Sequence, residues 1–175
     1  MESDSDSRVR AARLAIADVG SDRLQRLHRL WSERQAARRW PAPTDVPPGD
    51  LNFMQGTATL IEVLRDPLRF RIGLIGSAIE ELRGRGDEGK MVDDIEPPYY
   101  ARLLNQHYAE AVSRGEPMFH LIQFIPGARP SRYPLAYERV ILPLSEDGAA
   151  VTMLLVGSDW SEAITGDLRR FHETE

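Results

Sequence analysis

Histidine is the residue type best suited here to metal ligation or proton transfer near neutral pH, and the chain has four: His28, His107, His120 and His172. Cysteine is absent, which excludes thiol nucleophiles, disulfide scaffolds, zinc ribbons and iron–sulfur clusters. His107 falls in a helical segment with Glu110 three residues on, so the two share a face. A metal needs more ligands than that pair, and no others are nearby in the sequence. His120 alternates in phase with Met118, Ile122 and Phe124, which places one polar ring among apolar side chains. Ligand pockets are commonly built in this way, with apolar walls and a few polar groups that fix orientation. Arg139 has the opposite phase to Val140 and Leu142, so it is expected to face outward.

Catalytic constellations are weak. Glu80-Glu81 is an adjacent carboxylate pair, but helical neighbours diverge by about 100° and cannot converge on one bond. Asp93-Asp94 is also adjacent, without a partner group that would make it an acid–base pair. The nucleophile elbow Gly-x-Ser-x-Gly does not occur. The glycine-rich stretch from Gly84 to Lys90 lacks the spacing and the Ser or Thr of a phosphate loop. A non-enzymatic protein is therefore expected.

These residues must be positioned by a short list of elements. Arg8 to Val19 is rich in Ala and Arg, good helix formers, and is read as a helix stopped by Gly20. Ser21 can cap a second helix with Asp22 in its first turn. In that helix Leu24, Leu27 and Trp31 form one apolar stripe. Trp40-Pro41-Ala42-Pro43 marks a joint. Beyond it, Thr57 to Leu64 and Leu68 to Ile75 read as a hairpin around Arg65-Asp66-Pro67, with Phe70, Ile72 and Leu74 on one face. Ser77 is placed to cap a short helix, Ala78 to Arg83, and Tyr99 to Arg114 reads as a longer one. Pro117 to Ile125, Ala136 to Leu144 and Ala150 to Trp160 complete five strands, the last two joined at Asp147-Gly148. The expected architecture is α+β: an antiparallel five-stranded sheet with helices packed on one face, preceded by a helical arm. The divisions are 1–44 for the arm and joint, 45–160 for the body, and 161–175 for a polar tail with at most a short helix.

The 175 residues suit one domain, and 28% charged with 42% hydrophobic residues is ordinary globular composition. The net charge is −5. Arginines nevertheless concentrate between Arg8 and Arg39. Basic residues there are interspersed rather than run together, which favours a solvated helix face over nucleic acid or membrane as partner. No apolar run reaches membrane-spanning length, and the acidic start has no apolar core of a secretion signal, so a cytoplasmic protein is expected.

Three groups of residues resemble the PAS domain, and more narrowly a group of bacterial stand-alone PAS proteins. They are Asp66-Pro67-Leu68-Arg69-Phe70-Arg71 running to Leu74-Ile75-Gly76, then Gly86-Asp87 through Gly89-Lys90, then Tyr137-Glu138-Arg139 with Leu142-Pro143-Leu144-Ser145-Glu146-Asp147-Gly148. The resemblance spans roughly Asp45 to Trp160; Ser77 stands where the group commonly has Thr. It implies a sheet cupping its helices around a small apolar hollow, and a sensory or regulatory role exercised on a separate partner protein. The candidate lining of the hollow is Phe70, Ile72, Leu104, His107, His120 and Ile122, for a small apolar ligand. A carrier or enzyme using the same hollow is the alternative, with His120 as its polar group. Some PAS proteins hold haem through a histidine on the long helix, where His107 lies, but a polar packing role for His107 is preferred and the cofactor is left unassigned. Flavin photochemistry through cysteine is excluded by composition. Homodimerisation is expected through Leu24, Leu27 and Trp31, whose stripe needs an apolar counterpart.

Overall fold

A computed structural model describes residues 8–84, 86–130 and 132–161; the expected polar tail therefore lies, beyond Ser161, outside the described residues. Six strands form one antiparallel sheet: β1 (Val9–Leu14), β2 (Ala58–Leu64), β3 (Arg69–Ile75), β4 (Met118–Phe124), β5 (Ala136–Leu144) and β6 (Met153–Asp159). Their spatial order is β1-β4-β5-β6-β2-β3. Three α-helices accompany them: α1 (Asp22–Gln35), α2 (Ser77–Arg83) and α3 (Pro98–Arg114). Both expected hairpins, the long helix and the Ser21-capped helix are present, and Ser21 accepts the Leu24 amide at 3.2 Å.

Two expectations about the amino-terminal part are corrected. Residues 8–19 are not a helix: Val9–Leu14 is a strand, followed by a 3-10 turn at Ile16–Asp18. Its register with β4 runs from Val9↔Phe124 to Leu14↔Phe119. The propensity of Ala and Arg for helix is a few tenths of a kcal/mol per residue, and pairing the open edge of β4 outweighs it. The sheet thus has six strands rather than five. Nor do the helices cover only one face. Helix α1 packs on β5 and β6, on the face opposite to α3, so the sheet is enclosed from both sides.

The docking of α1 is close. Leu24 and Leu27 are fully buried and Trp31 nearly so, and the Trp31 indole donates to the Pro143 carbonyl at 2.7 Å. Gly157 of β6 lies directly beneath. A Cβ there would stand 2.6 Å from Leu27 Cδ2 and 3.0 Å from Met54 Cε. The apolar counterpart of the stripe is therefore this protein's own sheet, which corrects its assignment to a dimer contact. Val9, Leu24, Trp31 and Trp40 share one core with Met54, Leu142 and Leu155, so packing is continuous across the expected joint. Several arm arginines are engaged locally: Arg23 with Asp159, Arg34 with Asp50, Arg38 with Asp45, and Arg26 over the Phe53 ring.

Strand β3 departs from strict alternation. Ile61 pairs with Ile72 and Thr59 with Ile75, so β3 holds one extra residue between them. This bulge turns Leu74 outward, against the expectation that it joins Phe70 and Ile72, and turns Ile75 inward. The start of α2 also differs from the expected Ser77 cap. Gly76 is the cap residue, and the Gly56 carbonyl accepts the Ala78 and Ile79 amides at 3.1 and 3.3 Å.

Gly157→Ala tests the tight docking of α1. The added methyl meets fully buried side chains and should cost about 1–3 kcal/mol, read as a lower urea midpoint at unchanged slope. Unaltered stability would mean that α1 sits further from the sheet.

Candidate functional site

The inner face of the sheet, together with α2, α3 and the segment around Tyr133, lines a half-open cavity of about 80 Å³. Aliphatic side chains make most of its wall, among them Ile61, Ile72, Ile75, Ile79, Leu104 and Val156. Four tyrosines, Tyr100, Tyr108, Tyr133 and Tyr137, also reach it. Their hydroxyls serve as neutral hydrogen-bonding groups where the shift is resolved. Burial pushes Tyr108 up to about 12, and it pushes Tyr133 and Tyr137 up as well. The Tyr100 and Tyr137 hydroxyls share a hydrogen bond of 2.5 Å.

One wall carries charge. His120, Arg139 and Ser158 are successive cross-strand partners on β4, β5 and β6 and therefore share a face. That face is the inner one. Arg139 does point away from Val140 and Leu142, as alternation requires, but α3 covers the side to which it points. Arg139 is 2% exposed, which corrects the expectation of an outward arginine. Helix α3 brings His107 against His120, ring on ring at 4.1 Å between centroids and 6° between planes. One guanidinium nitrogen, Nη2, donates to Nδ1 of both rings, at 3.2 Å for His120. A guanidinium can only donate, so both Nδ1 atoms are bare acceptors and each neutral ring carries its proton on Nε2. Burial, and then the Arg139 charge, lowers His107 to about 3 and drives His120 lower still.

The rest of Arg139 is unmatched. Its Nε and Nη1 are buried and have no hydrogen-bond partner among the described residues. The acid next to it in the chain, Glu138, faces the other side of the sheet and accepts the Gly20 and Ser21 amides at 2.9 Å each. Arg83, the other cation at the cavity, is engaged by Asp87 at 2.6 Å and donates to the Tyr133 hydroxyl. The cavity therefore holds one buried cation whose charge no carboxylate offsets.

Of the expected lining, Ile72 and Leu104 reach the cavity. His107 and His120 stand behind Arg139 and hold it. Phe70 packs edge-on against Tyr108 at 5.6 Å, and Ile122 is buried in the core. Arg139 and the four tyrosines were not expected there. The in-phase pair Tyr137 and Arg139 was the available signal, but it could not say which face was enclosed. A hollow of this volume is too small for haem, since benzene alone occupies a cavity of roughly 150 Å³. No group of three or more metal-ligating side chains occurs among the described residues. No helix among the described residues is long and apolar enough to cross a membrane. Compared with known proteins, the chain matches no family model and no curated protein.

The depressed histidines link stability to pH. In the unfolded chain each takes a proton as pH falls through about 6.5, while the folded rings stay neutral. The unfolded state then binds more protons, so stability is greatest above neutrality and falls on acidification. Each of the two rings can contribute up to about 1.4 kcal/mol per pH unit below 6.5. Urea titrations at pH 7, 6 and 5, above the range where carboxylates protonate, should show that loss. A flat profile would show that the rings accept protons without unfolding.

Proposed function

We propose that the protein is a sensory module of the PAS type, which binds a small molecule in its hollow and acts through contacts with a regulatory protein. The observation that carries this reading is the cavity between the inner face of the sheet and helices α2 and α3, apolar on most sides and polar at one wall. It agrees with the curved sheet around an apolar hollow that the resemblance implies. Because α2 and α3 form part of the wall, a ligand bound between them and the sheet would bias their packing. Its leverage is the difference in its affinity for the two packings. The α1 stripe is buried, so a partner or second copy would engage another surface.

A carrier or enzyme built on His120 is less well supported. That ring is buried, stacked on His107 and hydrogen-bonded through Nδ1 to Arg139, which leaves it holding a neighbour rather than presented to a substrate.

Native mass spectrometry of gently purified protein, followed by thermal-shift screening of small organic molecules, tests the hollow. Ligands should raise the melting temperature of the parent by several degrees and have no effect on Ile72→Trp, whose larger side chain plugs the cavity. Hits that stabilise both proteins equally would place binding elsewhere and remove the support for this reading.

A further inference from the structure

We infer that the hollow selects a small organic monoanion, a short-chain aliphatic carboxylate, with the carboxylate held by Arg139 and the alkyl tail among the isoleucines. The inference rests on the proposed ligand-binding role and adds the chemistry of the ligand.

A buried guanidinium without a counter-charge is costly to keep in a protein interior. Here the cost is only partly met, because two neutral rings accept from Nη2 while Nε and Nη1 have no acceptor. The surrounding titratable groups do not offset the charge. His107 and His120 are neutral, as are the tyrosines Tyr108 and Tyr137, and Arg83 is itself a cation already engaged by Asp87. A ligand that brings one negative charge and oxygen acceptors completes this arrangement, since charge-assisted hydrogen bonds to a guanidinium are among the stronger ones available. A second negative charge would find no free cation among the cavity residues. The wall beyond Arg139 is aliphatic, at Ile61, Ile72, Ile75 and Ile79, so the remainder of the ligand is alkyl. The size follows from the volume. An apolar cavity of roughly 150 Å³ accommodates benzene, with its six non-hydrogen atoms, so about 80 Å³ suits an acid of about two carbons.

The arrangement also separates roles within the polar cluster. The imidazoles position the guanidinium by fixing Nη2, while Nε and Nη1 remain buried donors without an acceptor. His107 and His120 are thus positioning residues, and Arg139 is the contact.

Calorimetric titration of the full chain at pH 7 with acetate, acetamide and sodium chloride tests the inference. Acetate should bind, with the isosteric amide at least tenfold weaker and chloride without effect. In parallel, acetate should move the Arg139 Nε–H resonance, assigned by its disappearance in Arg139→Lys. Arg139→Met should bind acid and amide alike; if that variant does not fold, the comparison of acid with amide on the parent protein still decides. Equal or tighter binding of the amide would overturn the anion assignment and leave the hollow as a site for a neutral ligand. Equal protection by chloride would show a bare anion site without a tail. Absence of binding by acid and amide together would overturn the inference, and the screen with Ile72→Trp then decides separately whether the hollow binds anything.

Discussion

A charged group enclosed on a central strand must find acceptors in the interior, and Arg139 finds them in two stacked imidazoles. That requirement organises the inner half of the molecule. It fixes the tautomers of His107 and His120, ties α3 to β4 and β5, and leaves two donors of a cavity-lining arginine without an acceptor. The rings can serve because burial keeps them neutral; two imidazolium ions stacked at 4.1 Å beside an arginine would repel. Desolvation therefore both removes the histidines' charge and makes them usable acceptors.

The outer half of the sheet solves the complementary problem. Glu138 and Asp159 are cross-strand partners facing α1, two carboxylates side by side. The start of α1 meets both. Glu138 accepts the Gly20 and Ser21 amides, and Asp159 accepts the Ser21 hydroxyl at 2.5 Å and an Arg23 nitrogen at 3.0 Å. Burial alone would raise Asp159, but these hydrogen bonds and the Arg23 charge lower it. A helix amino terminus is the favourable place for such anions. Consecutive residues of β5 with opposite charges are thus committed to opposite faces, the acid to hold a helix and the cation to the hollow.

Local chemistry made much of this legible. The Ser21 cap, the Asp-Gly hairpin and the long helix each carry a signal within a few residues. The register of β1 does not, because Ala and Arg favour helix in isolation and only the distant edge of β4 reverses that preference. Strand β5 is buried along its whole length, so its sequence has no polar phase to mark the solvent side, and the orientation of Arg139 could be assigned only once α1 was known to cover the other face. The β3 bulge was likewise hidden, since Phe70-x-Ile72-x-Leu74 alternates correctly in sequence while its backbone does not. Ile72 and Leu104 were found because their burial follows ordinary periodicity.

Strand β6 is inserted between β5 and β2, with Ala58 opposite Gly157. The middle of the sheet is consequently assembled from segments nearly a hundred positions apart, and the β1-β4-β5 and β2-β3 halves are joined only when β6 is laid down. During synthesis, the ribosome must deliver β6 before the wall of the binding chamber is complete. Pairing of such distant partners is an intrinsically slow step in chain collapse, and the edges of β2 and β5 lack their partner until β6 emerges.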